Sequence, residues 1–160
     1  MQLATLCYLR HNSRTLMLYR NKKKDDIHSG KWNGLGGKFK SAETPEECVI
    51  REVYEESGLV IKTPSLRGFI TFPSFNKNED WYVFIFTATD FTGSLQESAE
   101  GHLEWIDDSN LSSLILWPGD KLFLKWIQAG RFFSAKFVYR NKKLVKHSEI
   151  FYDYPTAGQR

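Results

Sequence analysis

Residues 44–58, "TPEECVIREVYEESG", carry a start signal, an interior pattern and a stop signal for one helix. Thr44 is placed to cap the N-terminus, Pro45 suits the first helical position, and Glu47 stands where a capping box needs it. Gly58 follows, where a left-handed turn ends a helix. Cys48, Val49, Val53 and, more weakly, Tyr54 make an apolar stripe, so the helix must lie against a core. Glu52, Glu55 and Glu56 share the other face, three and four residues apart.

That face is electrostatically costly. Three like charges repel one another, and the C-terminal end of a helix dipole disfavours anions. Stability alone would place lysine there. The pattern points to a compensating cation, and oxygen-only ligands suit a hard divalent ion such as Mg2+, with Mn2+ also admissible. The plainer alternative is a solvated acidic face.

The rest of the chain supplies strands for this helix to cover. Residues 3–9 and 15–20 read as strands joined by a turn, and 22–30 as a polar loop. Residues 31–39, "KWNGLGGKF", hold too many glycines for a regular strand interior. They read as a bent strand whose backbone comes close to something else. Residues 66–75, 80–91 and 102–107 read as further strands. A second helix is expected from about Asp120 to Ala129, stopped by Gly130, and then a hairpin over 131–140 and 143–154. This is an α+β pattern: a mixed sheet with a helix on each face, an α/β/α sandwich. One domain over 1–155 with a flexible tail at 156–160 is expected.

Composition narrows the function classes. The 160 residues suit one domain, 41% hydrophobic content supplies a core, and 26% charged residues argue against disorder. A net charge of +3 is too mild to indicate a polymeric nucleic-acid partner and is compatible with a small anionic substrate. The basic clusters at Lys22, Lys23 and Lys24, and at Arg140, Lys142, Lys143 and Lys146, are first of all solvated turns. Cys7 and Cys48 follow no metal-ligand spacing, and Cys7 lies in an apolar run that suits a reduced thiol. No run approaches the length of a membrane span and the N-terminus lacks a leader pattern, so no membrane partner and a cytoplasmic setting are expected. Monomer and homodimer are both open.

Gly37, Glu43, Arg51, Glu52, Val53, Glu55, Glu56, Gly58 and Leu59 occupy every place of a nine-position pattern across residues 37–59. This pattern resembles the signature of the Nudix hydrolases. "KWNGLGGK", Glu100 with Trp105, and "WPGD" at 117–120 are similar to the MutT-type 8-oxo-dGTP diphosphatases within that family. The resemblance implies a Nudix fold and water attack on the phosphorus of a nucleoside diphosphate derivative, here an oxidised purine nucleoside triphosphate. It implies that Glu52, Glu55 and Glu56 are metal ligands or the general base, completed by the Gly36 carbonyl and Glu100. It further implies that Glu43 and Arg51 pair to hold the loop and helix together. Glu100 is also open to a role as a solvated loop acid.

The remaining candidates concern the substrate. Lys23 and Lys38 are placed to meet phosphate beside Gly36 and Gly37, although a solvated lysine is as good an account of Lys23. Trp32, Phe72, Trp81 and Trp117 can pack in a core or stack on a purine. Asn33 both donates and accepts, which fits the mixed edge of a guanine. Asp120 is open to two roles, a partner for a base N–H or an N-cap for the second helix. MutT-type members of the human kind carry two aspartates after the tryptophan-proline pair, whereas this chain has Gly119 and then Asp120, so their breadth of base preference does not transfer. Another dNTP, ADP-ribose or a dinucleoside polyphosphate as substrate, and a non-catalytic nucleotide sensor, are the competing accounts.

Overall fold

Side chains alternate along a strand, and here the alternation separates two cores. A computed structural model describes residues 1–153, so the expected tail lies outside the described residues. In chain order the elements are β1 (Gln2–His11), β2 (Arg14–Arg20), β3 (Trp32–Asn33), α1 (Pro45–Ser57), β4 (Leu59–Ile61), β5 (Ser65–Asn76), β6 (Glu79–Ala88), β7 (Phe91–Gly93), β8 (Gly101–Asp107), a 3-10 segment (Asp108–Ser113), α2 (Pro118–Gln128), β9 (Phe132–Arg140) and β10 (Lys143–Tyr152). Cys7, Leu9, Leu16, Leu18 and Phe86 turn to one face and pack with Val49 and Val53 of α1. Tyr8, Met17 and Ile85, their neighbours in sequence, turn to the other and pack with Phe123 of α2. The result is the expected sandwich.

The sheet is mixed. Its order is β10-β9-β5-β6-β1-β2-β3, with β8 paired to β2, and β4 with β7 forms a separate ribbon. β1 runs parallel to β6 and β5 parallel to β9, while the hairpins are antiparallel. Asn12 with Ser13, Lys77 with Asn78, and Asn141 with Lys142 turn these hairpins with positive φ. Two consecutive left-handed residues match the twist of the strands they join.

The glycine-rich stretch explains itself in this topology. Trp32 and Asn33 pair with β2, after which the chain crosses to β1, where Leu35 and Cys7 exchange hydrogen bonds of 2.9 and 2.6 Å. A side chain on Gly36 would overlap the Thr5 carbonyl, and one on Gly37 would overlap the Glu52 carboxylate.

Four expectations are corrected. The strand expected over 80–91 is two, because β7 leaves the main sheet to pair with β4, a strand too short to announce itself. α2 begins at Pro118, so Asp120 lies within its first turn and is not its N-cap; Trp117 holds that position. Tyr54 is 57% exposed and not part of the apolar stripe. Glu56 is 7% exposed and so is no solvated acid: it stays one turn from Glu52 on the acidic face, but it also lies three residues after Val53 and seven after Val49 and borders their buried stripe.

Candidate active site

The α1 caps are both formed. Thr44 Oγ1 accepts from the Glu47 N–H at 3.0 Å, Glu47 Oε1 accepts in turn from the Thr44 N–H at 3.1 Å, and Gly58 closes the other end at φ 78°. A rigid helix therefore presents Arg51, Glu52, Glu55 and Glu56 to the crossing loop. Arg51 is the hub: it grips both oxygens of Glu43, donates to Glu52 at 2.7 Å and Glu55 at 3.2 Å, and reaches the Lys38 carbonyl at 3.0 Å. Hydrogen bonds from this guanidinium pull the Glu43 carboxyl down to about 2. The expected pairing of Glu43 with Arg51 is thus present, and it pins loop to helix.

Glu56 sits behind the loop. One of its oxygens accepts from the Gly36 N–H at 2.7 Å, and the other is buried without a partner. Burial raises its pKa well above the usual carboxylate range, and the nearby charge of Glu100 raises it further. Glu100 is held by Arg20 at 3.0 Å and Lys23 at 2.7 Å. Among the described residues no group of three or more acids, histidines or cysteines stands arranged around a metal position. Guanidinium and ammonium groups occupy the acids instead, so coordination requires Glu52, Glu55 and Glu100 to exchange these partners. The donor set still suits a hard divalent cation. It is all oxygen, and it contains a buried, unpartnered carboxylate oxygen whose group is raised by burial and then by the charge of Glu100.

A cavity of about 430 Å3 opens beside these groups. Of the residues expected to bind metal or substrate, Lys23, Asn33, Gly36, Gly37, Lys38, Glu52, Phe72, Glu100, Trp117 and Asp120 line it. Glu43, Arg51, Glu55 and Glu56 do not; they stand behind or beside its wall. Lys38 lays its ammonium over the Trp81 ring at 5.2 Å, and both are wall residues. Trp32 packs instead against Tyr19 and His102.

The cavity continues from this charged region into an aromatic recess. Phe72, Phe75, Trp117 and Tyr139 are mutually packed, with centroids 5.1 to 6.3 Å apart. Two polar groups are set among them. Asn33 spends one amide donor on the Lys31 carbonyl at 3.4 Å. Asp120 is 6% exposed, and burial raises its pKa to about 8. It therefore carries a proton at neutral pH, both donating and accepting. Gly119 donates to the Tyr139 hydroxyl at 2.7 Å, and a side chain at 119 would strike that hydroxyl and the Phe137 ring. The β9 phenol fills the place a second acid would take.

A model of the NUDIX domain matches residues 1–127. The chain belongs to the Nudix hydrolases. An oxidized purine nucleoside triphosphate hydrolase of Danio rerio is 31% identical over 93% of this chain and 94% of its own. The uncharacterized Nudix hydrolase YvcI of Bacillus subtilis is 33% identical over 82% of each chain. The crystal structure of a MutT protein from Bacillus halodurans superposes with a TM-score of 0.83 at 28% identity, over 93% of this chain and 97% of that one.

Sequence reasoning missed several residues of this Nudix hydrolase's cavity: Arg20, His28, Phe75 and Tyr139. Arg20 ends a strand and His28 lies in a polar loop, where no periodicity marks a side chain as inward. Phe75 and Tyr139 lie on strands, but their facing depends on which strands meet. Among the described residues no helix is long and apolar enough to cross a membrane.

Proposed function

We propose that this Nudix hydrolase is a divalent-metal-dependent nucleoside triphosphate pyrophosphohydrolase that acts on oxidised purine nucleotides such as 8-oxo-dGTP, releasing the monophosphate and pyrophosphate. One observation carries the proposal. A single cavity joins a charged region, with Glu52, Glu100, Arg20, Lys23 and Lys38, to an aromatic recess holding Asn33 and a protonated Asp120. That is the layout of a triphosphate followed by a flat base with a mixed donor and acceptor edge. The names of the relatives in zebrafish and mouse support the same class.

Glu52, Glu55, Glu56, the Gly36 carbonyl and Glu100 would hold Mg2+ or Mn2+. When bound, such an ion supplies positive charge against the phosphates and makes water more acidic. The chain's own groups do the remaining work. Arg51 and Glu43 keep the crossing loop docked on α1, so that Gly36 and Glu56 stay in register. Lys23 and Arg20 release Glu100 and turn to phosphate oxygens, with Lys38 and the backbone at Gly37 completing the cradle. Phe72 and Trp117 exclude water from the base. Asn33 and Asp120 select the base by pairing with its edge, because an analogue that leaves buried polar groups unpaired is rejected strongly.

The test is a substrate panel with Mg2+ and with Mn2+: ordinary nucleoside triphosphates, 8-oxo-dGTP and ADP-ribose, compared by kcat/KM. The proposal expects 8-oxo-dGTP to lead, with pyrophosphate and not orthophosphate as product. ADP-ribose in first place, or no turnover of any triphosphate, overturns it.

A further inference from the structure

His28 lies in the loop between β2 and β3, lines the cavity, and belongs to none of the groups assigned so far. Its Nδ1 accepts a hydrogen bond from the Trp117 indole N–H at 2.8 Å, with the two rings nearly perpendicular at 80°. An indole N–H can only donate, so Nδ1 must be the bare nitrogen of the imidazole and the ring proton sits on Nε2. Trp117 occupies the N-cap position of α2 with no side-chain cap of its own. The indole N–H takes the imidazole as its hydrogen-bond acceptor. Phe75 and Tyr139 press on the ring at 5.1 Å each, and the Lys31 ammonium lies over it at 4.8 Å.

The imidazole is itself held. The His28 backbone N–H donates to Asp26 at 3.0 Å, Asp26 pairs with Arg20 at 2.8 Å, and Arg20 pairs with Glu100 at 3.0 Å. The same loop carries Lys23, which also reaches Glu100. One loop thus touches the acidic part of the cavity through Lys23 and the aromatic part through His28.

We propose that His28 is a specificity-determining positioning residue, whose Nδ1 holds the Trp117 indole in the orientation that makes it a wall of the base recess. Without that acceptor the indole N–H is left unpaired in a buried place and the ring turns or takes up water. The recess then loses its fixed width, and flat purines lose their advantage over smaller bases. The inference rests on the proposed recognition of purine nucleotides.

The test compares H28A, H28N and H28Q with the wild-type enzyme, using an oxidised purine and a pyrimidine nucleoside triphosphate. Asparagine can place Oδ1 where Nδ1 stood, and glutamine cannot. H28A should lower the preference for the purine about tenfold, chiefly through KM, with kcat nearly unchanged. H28N should restore most of that preference and H28Q should not. In a W117F background, which lacks the indole N–H, H28A should have no further effect. Preference retained in H28A, equal behaviour of H28N and H28Q, or additive losses in the double variant overturns the proposal. The Trp117 indole NMR resonance, assigned by its absence in W117F, gives a readout independent of substrate. It should shift in H28A and return in H28N. A wild-type enzyme without purine preference refutes the substrate assignment, while an unmoved indole resonance refutes the clamp.

Discussion

Replacing Asp120 by asparagine removes one ionisable group from the cavity and leaves its shape almost unchanged. Burial raises the Asp120 pKa from 3.8 to about 8. The folded protein therefore holds this proton more tightly than the unfolded chain. Its contribution to stability is fully present below pH 3.8 and is lost as pH rises through 8. At roughly 1.36 kcal/mol for each unit of pKa, the change across that window is on the order of 5 kcal/mol. His28 works in the opposite direction. Burial lowers its pKa from 6.5 to about 4, so its contribution is present above pH 6.5 and is lost as pH falls through 4. In the window they share, about pH 4 to 6.5, the two slopes oppose each other, and there the wild-type curve alone conceals both. The difference between wild type and D120N isolates the aspartate. Urea unfolding at intervals from pH 4 to 9, with metal chelated, should show D120N gaining steadily on wild type up to pH 8 and levelling off above it. Parallel stability curves would refute the assignment of a buried, protonated acid at this position.

Glu56→Gln should cut kcat by at least a thousandfold while the melting temperature holds or rises, because a neutral amide replaces a desolvated acid; steady-state kinetics and a thermal melt check both halves. Gly36→Ala drives a methyl group into the Thr5 carbonyl and should cost about 3 kcal/mol, read from the shift in urea midpoint. Arg51→Lys keeps the charge but loses the fork that joins Glu43, Glu52 and Glu55, and should weaken Mg2+-dependent activity by roughly 10- to 100-fold in a metal titration. Adding Mg2+ to chelated protein should raise the melting temperature of the wild type and leave Glu56→Gln nearly unmoved.

The parts of this fold that local chemistry determines were open to the eye in the sequence. Thr44, Pro45, Glu47 and Gly58 each act within one turn of α1, and all take the places their chemistry suggests. The glycines at 36 and 37 announced a close approach, though not the partners, because Thr5 and Glu52 come from elsewhere in the chain. The burial of Glu56 follows from the helix period, because it stands three residues after Val53, but a charged side chain hides that consequence from a reading of the sequence. β4 and β7 were hidden for another reason: three residues each carry no period, and their pairing is a long-range event. Arg20, His28 and Tyr139 belong to the same class. A polar loop and two strand ends became cavity walls only when the sheet order brought them together.

The contact between the Gly119 amide and the Tyr139 hydroxyl also bears on how this scaffold can change. No residue larger than glycine can enter position 119 while the phenol and the Phe137 ring stand there, and a shortened ring at 139 would leave that amide without its acceptor. New base preferences at this corner of the enzyme would therefore have to arrive as a joint exchange of position 119 with the β9 side chains that face it, and one-at-a-time mutagenesis would score each part as a failure.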